Sequence, residues 1–445
     1  MTSINPTTGA TRQMYADHSE AAVEQALRDA AVVPAGDRAP VLRAAARLLR
    51  ERRDELARLM ALEMGKPVTQ GRAEAEKCAL VCEYYARHTA EFLAPQPVVT
   101  EATRSYVLFQ PLGTLLAVMP WNFPFWQVFR CAAPALMAGN TVVLKHASNV
   151  PGCSLAIEQL FRDAGAPAGA FQTLLISAAR AEALIAHPAI AAVTVTGSTA
   201  AGQAIAAKAG ACLKKSVLEL GGSDPYLVLE DADLELAAAM CVTARLINSG
   251  QSCIAAKRFL VVESVRARFE ELFVTGMRAQ VLGDPLLPAT TVGPLARADL
   301  RTELHDQVQR SVRKGARVVL GGEIPPGPGW FYPPTVLTDV TPAMPVFAEE
   351  TFGPVAAIVG VPDEPTAIRL ANASVFGLGA AVFTRNSARG ERVAAALEAG
   401  ACFVNAFVKS DPRLPFGGIK QSGYGRELAA VGIREFVNVK TVVVQ

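Results

Sequence analysis

The residues best suited to chemistry in this 445-residue chain are a cysteine, a glutamate and an asparagine. Cys253 follows small and amide-bearing residues in INSGQSCIAAKR, with Lys257 and Arg258 just after it. Small neighbours expose a thiol, and positive charge favours the thiolate, which is the nucleophilic form. A lone cysteine is nevertheless more often a buried structural residue, so Cys253 by itself leaves both interpretations open.

The glutamate and the asparagine have the surroundings that acyl chemistry requires. Glu219 lies between two leucines at the end of a β-like run in LELGGSDP. Apolar neighbours raise the pKa of a carboxyl group, which suits a general base, although an exposed strand end gives the same pattern. Asn122 lies in MPWNFPFWQVFRCAAPALMAGN, an apolar stretch whose only charge is Arg130. A neutral, buried amide is a suitable donor to an oxyanion.

Two strand ends have patterns that fit nucleotide binding. In VTVTGSTAAG, Gly197 and Ser198 separate a β-run from a helix, where free backbone N–H groups can hold a phosphate. In NTVVLKHASN, Lys145 stands at a strand's carboxyl end, where α/β sheets bind ligands. Neither stretch is a P-loop or a G-x-G-x-x-G motif. An ordinary strand–helix turn and a solvated lysine remain alternatives.

The elements that must position these residues alternate between strands and helices. Residues 20–95 have helical periodicity, and from Arg104 short β-rich runs alternate with alanine-rich helical runs. A second α/β series starts at Asp231. This alternation predicts an α/β protein with parallel, doubly wound sheets, and the length predicts two or three structural units.

Composition argues against several classes of protein. The net charge of +2 gives no basic arm for nucleic acid and no polybasic membrane anchor. The uncharged stretch Tyr106–Phe129 is long enough to cross a bilayer, but its prolines and polar residues favour buried strand and loop. The first residues do not resemble a secretory signal. Eight cysteines without a C-x-x-C pair predict neither a metal site nor disulfides, and they favour a cytoplasmic protein.

Each motif alone is only moderately specific, but together and in this order the motifs indicate a family. The chain resembles the aldehyde dehydrogenase superfamily over nearly its whole length, and within it the bacterial succinate-semialdehyde dehydrogenases that use NAD or NADP. The matching motifs stand in family order: NPTTG at 5–9, PWNFP at 120–124, GNTVVLK at 139–145, VTVTGS at 193–198, LELGG at 218–222, GQSC at 250–253, EETFGPV at 349–355 and PFGGIKQSGYGRE at 415–427.

The resemblance implies a fold and a division into domains. It implies a Rossmann-type cofactor domain over residues 1–95 and 113–219, and an α/β catalytic domain over 220–434. A small β oligomerisation element is expected from residues 96–112 and 435–445. The expected assembly is a homodimer or a homotetramer.

The resemblance also implies the roles of the three reactive residues. Cys253 attacks the aldehyde carbonyl, and Asn122 holds the oxyanion together with the backbone N–H of Cys253. The thiohemiacetal passes a hydride to nicotinamide and becomes a thioester, which water activated by Glu219 hydrolyses.

The cofactor contacts implied by the resemblance include one departure from the family pattern. NAD-specific members usually carry a glutamate where this chain has Ser148. A carboxylate there would repel a 2′-phosphate, so the serine predicts that NADP is accepted, with NAD as the alternative. The loop Leu175–Ala179 lacks the glycine usual near the cofactor. The remaining predicted cofactor contacts are Pro120, Trp121, Lys145, Gly197, Ser198, Glu350 and Phe352.

Substrate contacts are predicted at Arg130, Trp126 and Ser410. A helix starting near Asn122 would place Asn122, Trp126 and Arg130 on one face. A buried guanidinium needs an anion, either a substrate carboxylate or an internal Asp or Glu. By resemblance, Arg130 and Ser410 match substrate-carboxylate ligands.

The match to the succinate-semialdehyde enzymes is incomplete at one position. A second arginine common in those enzymes is replaced by Ile247, for which Lys409 or Arg413 could substitute. The leading hypothesis is therefore an NAD(P)-dependent enzyme that oxidises succinate semialdehyde to succinate. The alternatives are a broad aliphatic or aromatic aldehyde dehydrogenase with a structural Arg130, and a non-catalytic binding relative.

Overall fold

A computed structural model describes all residues, 1–445. The chain contains twenty β-strands and fifteen α-helices. The strands are β1 (Thr2–Ile4), β2 (Thr11–Met14), β3 (Gln96–Val98), β4 (Arg104–Pro111), β5 (Thr114–Met119), β6 (Thr141–His146), β7 (Phe171–Thr173), β8 (Ile190–Thr196), β9 (Lys215–Glu219), β10 (Asp224–Val228), β11 (Ala256–Val262), β12 (Arg317–Leu320), β13 (Thr335–Thr338), β14 (Val355–Val361), β15 (Phe376–Gly377), β16 (Gly379–Phe383), β17 (Ala401–Val404), β18 (Ile419–Lys420), β19 (Gly423–Tyr424) and β20 (Val437–Val444).

The helices occur mostly between consecutive strands. They are α1 (Glu20–Ala31), α2 (Ala39–Glu51), α3 (Arg53–Met64), α4 (Val68–Phe92), α5 (Trp126–Met137), α6 (Pro151–Asp163), α7 (Ala178–Leu184), α8 (Thr199–Ala211), α9 (Leu234–Leu246), α10 (Glu263–Arg278), α11 (Ala298–Arg313), α12 (Pro345–Ala348), α13 (Glu364–Asn372), α14 (Ser387–Ala396) and α15 (Ala429–Arg434). A 3₁₀ turn, Ile247–Gly250, follows α9.

Two large sheets form the frame of the molecule. The first has the order β19-β9-β8-β5-β6-β7 and is parallel except for β19. The second has the order β12-β13-β14-β11-β10-β16-β17 and is parallel except for β12. The largest hydrophobic core includes residues of both sheets, among them Leu115 and Phe259. The predicted α/β class with parallel sheets is therefore confirmed.

A third, antiparallel sheet joins two distant parts of the chain. Its order is β20-β4-β3, so strands from segments 96–112 and 435–445 meet in one sheet. Several valines in it are exposed, including Val439 and Val443. One strand crosses the predicted domain boundary, because β19 pairs with β9 of the first sheet. The domain boundaries themselves stay predictions.

The helix predicted to start near Asn122 starts four residues later, at Trp126. The carboxylate of Glu74, in α4, accepts the N–H groups of Phe125 at 2.8 Å and of Trp126 at 2.9 Å. A helix needs acceptors for its first N–H groups, and Glu74 supplies them here. Asn122 therefore lies in the loop between β5 and α5 instead of on the helix face with Arg130.

No helix of the structure combines the length and the apolar character needed to cross a membrane.

Candidate active site

The cysteine predicted as nucleophile lies in a tightly held loop. Cys253 comes between the 3₁₀ turn and β11, and backbone φ angles of 54° at Asn248 and 56° at Ser249 place both residues in the left-handed region. Such a conformation costs a non-glycine residue roughly 1–3 kcal/mol. The side-chain amide of Asn248 compensates by donating to the carbonyl oxygens of Asn122 at 2.6 Å and of Gln251 at 3.0 Å. These bonds tie the cysteine loop to the Asn122 loop.

Two N–H donors are available beside the thiol. The side-chain nitrogen of Asn122 donates one hydrogen to the Gln251 carbonyl at 3.1 Å, which leaves its second hydrogen free. The backbone N–H of Cys253 forms no hydrogen bond within the chain. Asn122 is buried, and its Oδ1 also lacks a partner. The structure thus brings both predicted oxyanion donors into one loop pair.

The protonation state of Cys253 differs from the one that its neighbours in sequence suggested. Burial raises the pKa of the thiol to about 12, and the charges of Arg130 and Lys257 oppose that only in part. The Lys257 ammonium is held by the carbonyl oxygens of Ser252 at 2.9 Å and Cys253 at 2.7 Å. The Arg258 guanidinium donates to other carbonyls, including that of Ser223. Lys257 therefore acts in the predicted direction, but burial outweighs it, and the net shift of the Cys253 pKa is upward.

Glu219 has the environment predicted for a general base. It lies at the end of β9, its side chain is buried, and neither carboxyl oxygen has a hydrogen-bond partner. Burial raises its pKa well above the usual range, against the opposing charge of Arg130, and Glu427 adds to the increase. The raised pKa expected from the sequence is confirmed.

Arg130 has an internal carboxylate as its partner. Its Nε forms an ion pair with Glu427, both side chains are buried, and an Nη donates to Thr196 Oγ1 at 3.3 Å. The guanidinium carbon also lies 4.6 Å from the centre of the Phe416 ring. Of the two partners considered from the sequence, the structure contains the internal one. The assignment of Arg130 to a substrate carboxylate stays a prediction, and the internal pair supports its alternative.

Cys253 opens into a cavity of about 620 Å³, the first cavity, at the carboxyl ends of β5, β6 and β8. Most of the residues predicted to bind a cofactor line it. They are Pro120, Trp121, Lys145, Gly197, Ser198, Glu350 and Phe352. Asn122 lines it too, so two of the three predicted reactive groups, Cys253 and Asn122, share a cavity with a nucleotide-sized space, whereas Glu219 is not part of its wall.

The phosphate-proximal part of this cavity suits an anion. A side chain built at Gly197 would contact no atom within 4 Å, so the backbone there is open. Ser198 caps α8, because its hydroxyl accepts the Ala201 N–H at 3.3 Å. The other N–H groups of that helix start remain available to a phosphate. Lys145 has no side-chain partner, and burial lowers its pKa. These residues fit the phosphates and ribose of a dinucleotide.

The opposite part of the first cavity is built around Glu350. Its carboxylate accepts the Gly222 N–H at 3.0 Å and pairs with Lys257 at 3.2 Å. Phe352 meets Trp121 edge to face, with 5.7 Å between ring centres. These two aromatic side chains suit contact with a nicotinamide ring.

Ser148 lies on the turn after β6 and is exposed, and it is not part of the cavity wall formed by Lys145 and Ala147. Its contact with a 2′-phosphate stays a prediction. In the loop that lacks the usual glycine, Ser177 caps α7 through the Arg180 N–H at 3.3 Å. That loop thus forms an ordinary helix start.

A second cavity, of about 430 Å³, lies next to the first. Phe123 lines it, whereas the preceding residue, Asn122, lines the first cavity. Trp126 and Ile247, two of the positions connected with substrate from the sequence, are in its wall. Ser410 lies outside the wall but accepts a hydrogen bond at 2.6 Å from Lys77, which is in it.

Two charged residues of the second cavity were not predicted from the sequence: Lys77 and Glu74, which lie one turn apart on α4. The signal available was slight, since GRAEAEKCALVC is an ordinary amphipathic helix pattern. The proposed substitutes for the missing arginine are placed elsewhere. Lys409 is exposed, and Arg413 is exposed and paired with Asp411 at 2.6 Å.

The eight cysteines are all free thiols, and no group of three His, Cys, Asp or Glu side chains is placed to hold a metal ion.

A thiol, two N–H donors with free capacity and a dinucleotide-sized crevice in a parallel α/β frame fit a cofactor-dependent enzyme of carbonyl chemistry. The chain belongs to the aldehyde dehydrogenase family, whose model matches residues 1–442. The predicted family, fold class and enzyme class are confirmed.

Relatives in several bacteria extend this similarity over the whole chain. A probable succinate-semialdehyde dehydrogenase (NADP(+)) of Synechocystis sp. is 51% identical over 99% of this chain and 98% of its own. A succinate semialdehyde dehydrogenase (NAD(P)+) of Escherichia coli is 48% identical over 99% and 97%. The crystal structure of a Streptococcus pyogenes succinic semialdehyde dehydrogenase with NADP+ has a TM-score of 0.97 and 38% identity, covering 100% and 99% of the chains.

Proposed function

We propose that this chain oxidises succinate semialdehyde to succinate with NADP or NAD as the hydride acceptor. The observation that carries the proposal is the meeting of Cys253, Asn122 and the dinucleotide-sized first cavity at one point. The names of the relatives at 51% and 48% identity support the choice of aldehyde and of NADP.

The chain's own residues provide the acyl chemistry. Cys253 Sγ forms a bond to the aldehyde carbon as the thiol proton passes to a water molecule. The negative charge moves to the aldehyde oxygen, where the Asn122 amide and the Cys253 N–H donate to it. One such donor is worth about 3 kcal/mol of barrier. Donors already fixed by the loop bonds need no reorganisation when the charge develops.

The second half of the reaction requires water and a base. NADP or NAD supplies the acceptor for the hydride that leaves the thiohemiacetal, and an acyl thioester of Cys253 remains. Glu219 takes a proton from water as the water oxygen bonds to the acyl carbon, and the C–S bond then breaks to release the carboxylate. A buried, unpartnered carboxyl group with a raised pKa suits this proton transfer.

The residues that would hold the dinucleotide are those of the first cavity. Lys145, Gly197 and Ser198 would take the ribose and phosphates, and Glu350 with Phe352 the nicotinamide end. Ser148 in place of a carboxylate supports acceptance of the 2′-phosphate of NADP.

A broad aliphatic or aromatic aldehyde dehydrogenase is the second candidate. The ion pair between Arg130 and Glu427 favours it, because that guanidinium is already neutralised. Comparison of kcat/KM for succinate semialdehyde and for butyraldehyde, with each cofactor, separates the two. A large preference for succinate semialdehyde supports the proposal, and equal values would replace it by the second candidate. NADPH formation should vanish in Cys253→Ala; if it persists, the proposed nucleophile is wrong.

We also propose that the chain forms a homodimer or homotetramer through the β20-β4-β3 sheet, and that it works in the cytoplasm. The exposed valines of β20 support the first point. Eight free thiols support the second.

A further inference from the structure

The second cavity contains one cation that no carboxylate neutralises. Lys77 and Glu74 are the charged side chains of its wall. Glu74 is fully engaged, because it forms an ion pair with the buried Lys66 and accepts the Phe125 and Trp126 N–H groups. Its negative charge is therefore balanced without Lys77.

The Lys77 ammonium has spare hydrogen-bonding capacity. It donates to Ser410 Oγ at 2.6 Å and lies 4.2 Å from the centre of the Trp126 ring. An ammonium has three hydrogens, so at least one remains for a ligand. Burial lowers the pKa of Lys77 to about 8, and the nearby charge of Arg130 contributes. A group so poorly solvated gains strongly from an anion.

The other cations considered for an anionic substrate are occupied or distant. Arg130 is paired with Glu427, and Arg413 with Asp411. Ile247 presents an apolar side chain to the same cavity. Lys77 is therefore the one cation in the wall of the second cavity, and it has no ion-pair partner.

We propose that Lys77, with Ser410 beside it, binds the distal carboxylate of the substrate and makes the enzyme select acidic aldehydes. The inference rests on the proposed oxidation of succinate semialdehyde at Cys253. The carboxylate would accept from the Lys77 ammonium, which its bond to the Ser410 hydroxyl positions, while the methylene groups lie against Trp126 and Phe123. Lys77 then supplies the contact that an arginine at position 247 would have made.

The test compares Lys77→Met, Lys77→Arg and wild type with succinate semialdehyde and butyraldehyde. Methionine keeps the unbranched side chain up to the position of Cε and removes the charged ammonium group. We expect kcat/KM for succinate semialdehyde to fall about 10- to 100-fold, mainly through KM, which is the effect of one charge-assisted hydrogen bond. Activity with butyraldehyde should stay within about threefold, and Lys77→Arg should recover part of the loss.

The matched control is Arg87→Met, which removes an exposed cation from the same helix. It should leave the ratio of the two kcat/KM values unchanged. Unaltered butyraldehyde activity shows that the Lys77 variants fold. If Lys77→Met fails to fold, the test is the ratio of kcat/KM for succinate semialdehyde to that for butyraldehyde in two other variants. Ser410→Ala removes the hydroxyl of the pair, and Lys77→Arg alters its geometry.

The outcomes for the two proposals are distinct. A wild-type enzyme that does not prefer succinate semialdehyde would overturn the proposed function. A wild-type preference that survives unchanged in Lys77→Met would overturn the role of Lys77 alone. Binding of succinate, measured as a rise in Tm, gives a readout without turnover: it should be present in wild type and lost in Lys77→Met.

Discussion

The side chains of the site fall into two groups according to how far their partners lie along the chain. Cys253, Glu219 and Asn122 could be predicted because each stands in a short motif that contains its own surroundings. Lys77 could not be predicted, because its partner Ser410 is 333 residues away in the sequence. Arg130 could be recognised as needing an anion, but the choice between a substrate and Glu427 depended on tertiary structure.

The residue at position 148 should control the choice of cofactor. Ser148→Glu places a carboxylate beside the site proposed for the 2′-phosphate, and like charges repel. We expect kcat/KM with NADP to fall at least about tenfold, or about 1.4 kcal/mol, with NAD little affected. Ser148→Gln adds similar bulk without charge and is the control. An equal loss in both variants would indicate a steric effect only.

The pH dependence of substrate selection should reveal the state of Lys77. Its cationic form binds a carboxylate, so kcat/KM for succinate semialdehyde should decrease above about pH 8, the pKa of Lys77 in the free enzyme. The charged or titratable groups around it are Arg130, Cys78, Glu74 and Asp411. Butyraldehyde profiles correct for the titration of the catalytic groups. If both aldehydes lose activity in parallel, Lys77 is not the titrating group.

At the scale of elements, helix α5 is positioned by a side chain of another helix. The carboxylate of Glu74, in α4, accepts the first N–H groups of α5. Helix α5 therefore starts after Asn122, and Asn122 is left in the preceding loop. The apolar periodicity of the sequence predicted that the helix exists. The periodicity could not predict the first residue of α5, because the capping carboxylate of Glu74 lies 51 residues before Phe125 in the sequence.

Loss of the charge on Glu74 should destabilise this arrangement. Glu74→Gln can still accept the two N–H groups but leaves the buried Lys66 without its counter-ion. Breaking a buried pair in this way costs about 3 kcal/mol or more. Glu76→Gln, on the same helix, breaks a partly exposed pair with Arg50 and should cost less than about 1 kcal/mol. Thermal unfolding measures the loss of stability in the two variants. Equal losses of stability would contradict the role of Glu74.

For the whole molecule, the sequence predicted the parallel α/β frame well. Runs of strand and helix alternate clearly, and their pattern depends on local periodicity. The antiparallel β19 escaped prediction, because its two residues join the first sheet only through contacts with β9.

The exposed sheet should govern assembly. Val439 of β20 is 61% exposed, and a lysine there would be buried in a subunit contact at considerable cost. We expect Val439→Lys to lower the molecular mass measured by analytical ultracentrifugation. Val375→Lys, at a 49% exposed valine outside the sheet, is the control. An unchanged mass for Val439→Lys would exclude this sheet position from the interface.

The hydrogen bond between Lys77 and Ser410 also determines when the second cavity can be completed during translation. Other late residues contact the same early region: Tyr85 donates to the Ala429 carbonyl, and Arg434 to the Phe92 carbonyl, 344 and 342 residues apart. During translation, helix α4 leaves the ribosome long before these partners exist. Lys77 can bond to Ser410 only after the last part of the chain has been synthesised. The early strands of both large sheets are therefore synthesised while the pair of Lys77 and Ser410 is still incomplete. Only the nearly finished chain can discriminate between aldehydes through this pair.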